Sequence, residues 1–282
     1  MFLTRVLSGI ALVIILGLTI YLGGYFLWVL LLFISIVGVN EYSRAVGVHD
    51  TGAPAASKGE KAPFNALELS SYVFAVLYYS ALLFSKNSDS VLLLPFFVCI
   101  ISIVSKMVLF VLRYPRIEVT SVMKASFGEI YVPVMLGFLY LLRQESEGIQ
   151  LILLVFVTSW VSDTFAYLVG RTIGRHKLSP VLSPKKSIEG AVGGVAGAVL
   201  LGFILSHFME SGPWVIALIS GIGAVISQCG DLFASGIKRH YGIKDYGNLI
   251  PGHGGILDRF DSVIITAPII FILFYIVKKG GL

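Results

Sequence analysis

The sequence predicts an all-α polytopic integral membrane protein of about nine transmembrane helices, with its long loops on the cytoplasmic side. Of the 282 residues, 56% are hydrophobic and only 13% are charged, whereas soluble domains have about 45–50% apolar and about 25% charged residues. A soluble fold of this length cannot bury so much apolar surface, and the same composition excludes intrinsic disorder. Two cysteines are too few for a disulfide-stapled secreted scaffold.

Apolar runs of about 20 residues, the length that crosses the hydrocarbon core as a helix, divide the chain. The second and fifth runs are short, so we expect them to tilt or to continue into a flank. The first run follows Arg5 without a small-residue cleavage site after it, which favours a retained helix over a signal peptide. The predicted spans are 6–22, 24–39, 66–84, 91–111, 127–142, 149–170, 190–208, 213–233 and 263–277.

Lysine and arginine residues divide unequally between the two sides of these spans. Most of the 21 lie in loops on the side of the N-terminus. Because cytoplasmic loops carry the excess of positive charge, the N-terminus is expected inside and the C-terminus outside. The cations on the opposite side are Lys86, Arg143, Lys278 and Lys279.

The loops on the outer side are short, so function is expected in the three long cytoplasmic connections. Residues 1–150 are predicted to form N-terminal transmembrane helices with a flexible cytoplasmic loop at 40–65. Residues 151–282 are predicted to form the catalytic transmembrane region. The connections of that region, 171–189 and 234–262, are dense in charge, glycine and proline.

The loop 234–262 combines cations, carboxylates and glycines in a short stretch. Cations and close-approaching backbone N–H groups are what phosphates require, and carboxylates are hard ligands for a divalent metal. A basic loop that touches anionic headgroups is the alternative, but interleaved aspartates would weaken that attraction. The charged members are Lys238, Arg239, Lys244, Asp245, His253, Asp258, Arg259 and Asp261.

The preceding span ends in a polar stripe. Asp231 lies near the end of the eighth apolar run, and Ser227, Ser235 and Lys238 share its helical face. An ionisable residue at the edge of a span is a functional candidate, although pairing with a neighbouring helix is the alternative. Asp231 and Asp258 approach from opposite ends of one loop, a geometry able to clamp a cation, whereas Asp258 and Asp261 can also simply complement a helix dipole.

The loop 171–189 has a similar character. Asp163 lies inside the sixth span, where a charge needs a partner or a water-filled cavity. Ser183 and Pro184 match an N-cap and a first helical position, which would place Lys185 and Lys186 beside N–H groups that favour an anion. Enforcement of topology is the alternative role of the cations in this loop. Glycines at 190, 193, 194 and 197 predict close helix packing.

The stretch from Ser235 to Asp261 resembles the signature of phosphatidate cytidylyltransferases, also called CDP-diacylglycerol synthases. The resemblance covers about residues 155–277 well, whereas the first 150 residues match only as hydrophobic spans after an N-terminal Arg-Val-Leu-Ser-Gly. The matching residues are Ser235, Ile237, Lys238-Arg239, Lys244-Asp245, Gly247, Ile250, Pro251, His253-Gly254-Gly255, Ile256, Asp258-Arg259, Phe260 and Asp261.

The resemblance implies transfer of CMP from CTP to phosphatidic acid, dependent on Mg²⁺, by homodimers in the bacterial inner membrane. It implies that Asp231 and Asp258 hold the metal, with a monovalent cation such as K⁺ nearby, and it implies no nucleic-acid partner. The residues assigned to catalysis are Asp231, Asp258, Lys238, Arg239, Lys244 and Arg259. Those assigned to substrate binding are Lys185, Lys186, Ser227, Ser235, Asp245, His253, Gly254, Gly255, Asp163 and Asp261.

Two other functions stay open from the residues. A CTP-dependent transferase for another lipid phosphate would use the same signature, which defines the nucleotide better than the acceptor. A transporter of an anionic substrate would suit many spans and a buried Asp163, but transporters place their sites near the membrane midplane, and here the charge lies in loops on one side.

Overall fold

A computed structural model of the chain describes residues 2–48, 65–85 and 91–280. The part of the predicted flexible loop at 49–64, with Lys58 and Lys61, lies outside these ranges, as does Lys86. The described helices are α1 (Phe2–Leu22), α2 (Gly24–Val46), α3 (Ala66–Phe84), α4 (Leu93–Leu112), α5 (Val119–Gln144), α6 (Gly148–Ile173), α7 (Ile188–Leu205), α8 (Pro213–His240) and α9 (Leu257–Gly280).

The helices have the length and composition of membrane spans. Within the described ranges, eight are long and apolar enough to cross a membrane, and the apolar part of α1, Val6–Leu22, is shorter. Large side chains such as Phe84 and Leu112 point outward, at 80% and 75% exposure, as expected for surfaces that face lipid. The protein is therefore an all-α polytopic membrane protein, as the composition predicted.

Three helices extend further than their apolar runs. α2 continues to Val46, so residues 40–46, which were predicted to start a loop, are helical. Glu41 and Tyr42 in this segment are buried. α8 continues to His240 and α9 begins at Leu257, which shortens the predicted loop 234–262 to residues 241–256. Hydropathy identifies only the apolar part of a helix. The backbone hydrogen bonds of the helix can continue beyond that part.

A small hairpin replaces the helix start predicted at Ser183 and Pro184. Strands β1 (Lys177–Ser179) and β2 (Ser183–Ser187) pair antiparallel, with Ser183 opposite Ser179. The prediction was wrong because strand pairing occupies this backbone, and the cap lies four residues later. Ser187 caps α7 by accepting a hydrogen bond from the N–H of Gly190 at 3.2 Å.

Among the described helices, α5 and α6 each contain one π-helical turn, a feature often found near functional sites. In α5 this turn covers Ile130–Val134 and includes Pro133. In α6 it covers Val157–Val161, directly before the turn that carries Asp163.

The chain divides into two compact units. Unit 1 comprises Met1–Val13, Gly24–Gly137 and Asp245–Asp258, and unit 2 comprises Ile14–Gly23, Phe138–Lys244 and Arg259–Leu282. Part of the predicted catalytic region, residues 245–258, therefore belongs with the helices of the N-terminal half.

Packing of α6 against α7 in unit 2 depends on small residues, which confirms the prediction from the glycines within the chain. A Cβ added at Gly194 would lie 2.7 Å from the backbone oxygen of Ser162, and one at Gly197 would lie 2.5 Å from the ring of Phe165. Glycine therefore sets how closely these two helices approach.

Candidate functional site

The predicted site residues of unit 2 gather around three aspartates, Asp163 of α6, Asp231 of α8 and Asp261 of α9. Each of the three is close enough to the others to interact electrostatically. Lys186 forms an ion pair with Asp231, and Nζ of Lys238 lies 3.8 Å from Oδ2 of Asp261. Two of the three carboxylates thus have a lysine beside them. We call Asp163, Asp231, Asp261, Lys186 and Lys238 the aspartate cluster.

Three polar atoms beside the aspartate cluster are buried without a hydrogen-bond partner among the described residues. They are Oγ of Ser159, Oγ of Ser227 and Nε of Arg259. Ser159 and Ser227 precede Asp163 and Asp231 by four residues, so each hydroxyl shares a helix face with its aspartate. Buried polar groups are usually paired, and a bound polar ligand or ion is a physical reason for leaving these atoms unpaired.

A cavity of about 410 Å³ opens beside these aspartates within unit 2. The hairpin brings Lys185 and Lys186 to its wall, and α8 contributes Asp231 and Ser235. Gln228 lies at the same wall, where its Nε2 donates to the backbone oxygen of Ala191 at 3.0 Å. A volume of this size fits the class of small-molecule pockets, which measure about 300–1,000 Å³.

The predicted residues Arg239, Lys244 and Asp245 are not among those that line this cavity. Arg239 is exposed at the end of α8 and donates to the backbone oxygen of Ile243 at 3.3 Å. Lys244 and Asp245 are also exposed. In unit 2, the backbone oxygen of Arg259 accepts a hydrogen bond from the indole of Trp160 at 3.2 Å, which ties α9 to α6.

In unit 1, Asp258 organises the signature loop. Its Oδ2 accepts hydrogen bonds from the backbone N–H groups of Tyr246 at 2.8 Å and of Gly255 at 3.0 Å. Gly254 lies against this carboxylate with a φ of +89°, a conformation that favours glycine. The His-Gly-Gly sequence therefore allows the loop to fold tightly around Asp258.

His253 is held by the N-terminal helix. Its Nδ1 lies 2.9 Å from Oγ of Ser8, and the hydroxyl of Ser8 donates to the backbone oxygen of Pro251 at 3.1 Å. The Arg-Val-Leu-Ser-Gly segment that accompanied the signature thus contacts the signature loop itself within unit 1.

The sequence reasoning missed Glu41 and Gln228. Glu41 is buried and accepts hydrogen bonds from the backbone of the signature loop. A glutamate in a run predicted as a flexible loop gave no signal, because its partners lie more than 200 residues away in sequence.

The donor chemistry fits a metal of the Mg²⁺ type. Mg²⁺ in phosphate-transfer sites is bound by one or two carboxylates together with water and substrate phosphates. The aspartate cluster offers hard oxygens of that kind, including the unpaired hydroxyl of Ser227. Within residues 2–48, 65–85 and 91–280, no three His, Cys, Asp or Glu side chains form a group that holds a metal on its own, so substrate oxygens would be needed to complete coordination.

Comparisons with known proteins identify the family of this chain. The sequence model of the cytidylyltransferase family matches residues 3–277. The chain is 44% identical over 156 residues to the phosphatidate cytidylyltransferases of Staphylococcus epidermidis and Staphylococcus saprophyticus, and 42% identical over 156 residues to that of Staphylococcus aureus. Each alignment covers 54% of this chain and 60% of the relative's own length. The family match spans nearly the whole chain, and the protein belongs to the cytidylyltransferase family.

Proposed function

We propose that the protein is a phosphatidate cytidylyltransferase, which transfers CMP from CTP to phosphatidic acid and releases pyrophosphate. The observation that carries the proposal is the cavity in unit 2, where lysines and aspartates meet in a membrane protein of this family. The names of the aligned relatives point to the same substrates.

The reaction is a displacement at phosphorus. An anionic phosphate oxygen of phosphatidic acid attacks the α-phosphorus of CTP and forms a new P–O bond. The bond between the α-phosphorus and the oxygen bridging to the β-phosphorus breaks, and that oxygen leaves with pyrophosphate. The attacking oxygen is already ionised near neutral pH, so positioning and charge stabilisation carry most of the catalysis.

The cations of this chain supply that stabilisation. Lys185 and Lys186 at the cavity wall would bind phosphate oxygens, as would Lys238 beside Asp261. Arg239 and Lys244 at the exposed end and Arg259 would neutralise the triphosphate and the departing pyrophosphate. The lipid can stay in the bilayer while CTP arrives from water, because Asp163, Asp231 and Asp261 lie in helices long and apolar enough to cross a membrane and Lys185 of the neighbouring hairpin is exposed.

Two carboxylates are our candidates to hold Mg²⁺, namely Asp231 and Asp258, with K⁺ as a further cation of the site. A bound Mg²⁺ supplies charge stabilisation to phosphate oxygens. Asp163 and Asp261 would balance the lysines of the aspartate cluster, and Ser227 and Ser235 would offer hydroxyls to the substrate.

The proposed cellular setting follows from the same reasoning. Relatives from bacteria favour the plasma membrane, and the distribution of lysine and arginine supports an N-terminus and a site that face the cytoplasm. We propose a homodimer as the working assembly.

The test is a transfer assay with the full-length protein purified in detergent. CTP labelled in the cytidine, phosphatidic acid and Mg²⁺ are supplied, and label is counted in the organic phase. We expect transfer that EDTA and Asp258→Asn abolish and that the exposed control Glu118→Gln keeps. A folded protein that transfers no label to phosphatidic acid contradicts the proposal, and transfer to a polyprenyl phosphate instead would identify a different lipid acceptor.

A further inference from the structure

Glu41 of α2 holds the start of α9 from a distant part of the chain. Its Oε1 accepts the N–H of Ile256 at 3.1 Å, and its Oε2 accepts the N–H of Leu257 at 2.8 Å. The first N–H groups of a helix have no partner inside it. With both oxygens accepting, the side chain caps the start of α9, and it is only 7% exposed.

Two glycines of the signature loop close around this carboxylate. A Cβ added at Gly255 would lie 2.5 Å from Oε2 of Glu41, and one added at Gly247 would overlap Oε1. Neither glycine has a positive φ, so the close approach of Glu41, and not an unusual backbone conformation, accounts for glycine at both positions. The shape of the loop is therefore fitted to the glutamate.

The same short segment carries Asp258. Gly255 donates its N–H to Oδ2 of Asp258, and the next two N–H groups along the chain are the ones that bind Glu41. A shift of the backbone at Ile256 and Leu257 therefore moves Asp258 directly. All of these contacts lie within unit 1.

We propose that Glu41 is a positioning residue for the transfer reaction. Its carboxylate fixes the backbone of residues 255–257 and thereby the location of the Asp258 carboxylate. The inference rests on the proposed function, since it assigns Asp258 to that chemistry. A positioning role differs from that of a purely structural cap. Loss of a structural cap would lower the amount of folded protein and leave the turnover of each folded molecule unchanged.

The first experiment compares Glu41→Gln with the control Glu118→Gln. Glutamine keeps the size of the side chain but turns an NH₂ group towards a backbone N–H, so one hydrogen bond is lost. We expect kcat per folded molecule to fall about 10- to 100-fold, the scale of a misplacement of about 1 Å, while KM for CTP changes less than about threefold. Glu118 is exposed, and its carboxylate accepts a hydrogen bond from the hydroxyl of Thr120, two residues along the chain. Glu118→Gln should therefore match the wild type in both parameters.

A second variant covers the case in which Glu41→Gln folds poorly. Gly247→Ala keeps the carboxylate and displaces it, because the new Cβ occupies the place of Oε1. We expect the same loss of kcat, and in the double variant the losses should be less than additive, because both changes disturb one contact. Full additivity, or a kcat within about twofold of wild type in both folded variants, overturns the inference.

Hydrogen exchange separates this inference from the proposed function. If the wild type transfers no CMP, the proposed function fails. Exchange at the amides of Ile256 and Leu257 still reports whether Glu41 holds the loop. Faster exchange confined to this segment in Glu41→Gln is the expected result, and unchanged exchange overturns the inference independently of activity.

Discussion

Lys186 of β2 pairs with Asp231 of α8 at the wall of the unit 2 cavity, and both side chains remain about one quarter exposed, at 27% and 24%. The lysine therefore already occupies the carboxylate that we assign to the metal. A cation that binds Asp231 has to compete with Lys186, which makes the pair a test of the metal assignment.

We predict opposite changes in Mg²⁺ dependence for two substitutions of this pair. Asp231→Asn removes a charged ligand, so the Mg²⁺ concentration for half-maximal rate should rise and the maximal rate should fall. Lys186→Met removes the competing cation, so that concentration should fall by about two- to fivefold, the effect of a partly exposed ion pair of about 0.5–1 kcal/mol. The maximal rate of Lys186→Met should still fall, because a phosphate-binding cation is lost.

Initial rates over a Mg²⁺ titration measure both effects. Lys177→Met is the control, because Lys177 is exposed on β1 in the same hairpin, and it should leave the titration unchanged. Shifts of Asp231→Asn and Lys186→Met in the same direction would contradict the assignment of Asp231 to the metal.

A second prediction concerns the tautomer of His253. We predict that Nδ1 of His253 donates to Oγ of Ser8, because Ser8 has one hydroxyl proton and its contact with the backbone oxygen of Pro251 uses that proton. His253→Asn places an amide nitrogen near the position of Nδ1 and should keep the loop folded, whereas His253→Gln should not. Ser8→Ala should loosen the loop in the same way as His253→Gln.

Hydrogen exchange over residues 250–254 measures how firmly the loop is held in each variant. We expect exchange in His253→Asn to resemble the wild type, and exchange in His253→Gln and Ser8→Ala to be faster. Equal protection in the two histidine variants would show that Nδ1 is not the atom that holds the loop.

The membrane helices could be predicted from the sequence because one local quantity, an apolar run of about 20 residues, determines them. The polar face of α8 could also be predicted, since Ser227, Asp231 and Lys238 repeat with the helical period. Contacts such as Glu41 with Leu257 left no trace, because the glutamate binds backbone N–H groups, and every residue except proline has one.

The hairpin shows the other limit. Ser183 followed by Pro184 has the local pattern of a helix start, and a pattern of this kind says nothing about a partner strand. Pairing with β1 satisfies the same backbone groups in a different way, and Ser187 becomes the cap instead. Lys185 and Lys186 stay candidates because they line the cavity, although their predicted position at a helix N-terminus was wrong.

A third prediction concerns a buried ion pair in unit 1. Lys106 of α4 is fully buried and pairs with Glu129 of α5, while the hydroxyl of Ser102 accepts from Lys106 and donates to Glu129, both at 2.8 Å. Lys106→Met leaves a buried carboxylate without its cation and should lower the free energy of unfolding by about 3–5 kcal/mol. Adding Glu129→Gln should recover much of this loss.

Denaturation in detergent, followed by circular dichroism, measures these free energies. The exposed Lys177→Met serves again as the control and should change stability by less than about 0.5 kcal/mol. A double variant no more stable than Lys106→Met would mean that the charge of Glu129 is not what destabilises the single variant.

The last prediction compares two glycine substitutions of equal chemistry in different surroundings. Gly194→Ala places a Cβ 2.7 Å from the backbone oxygen of Ser162 and 3.0 Å from Nε2 of Gln228, so α6 and α7 have to separate beside the cavity. Gly17→Ala in α1 meets nothing within 4 Å, and it should stabilise the helix by about 0.5–1 kcal/mol. We expect the thermal midpoint to fall in the first variant and to rise slightly in the second. CMP transfer should fall only in Gly194→Ala, because only that substitution disturbs a wall of the cavity, and equal activity of the two variants would contradict the placement of the reaction there.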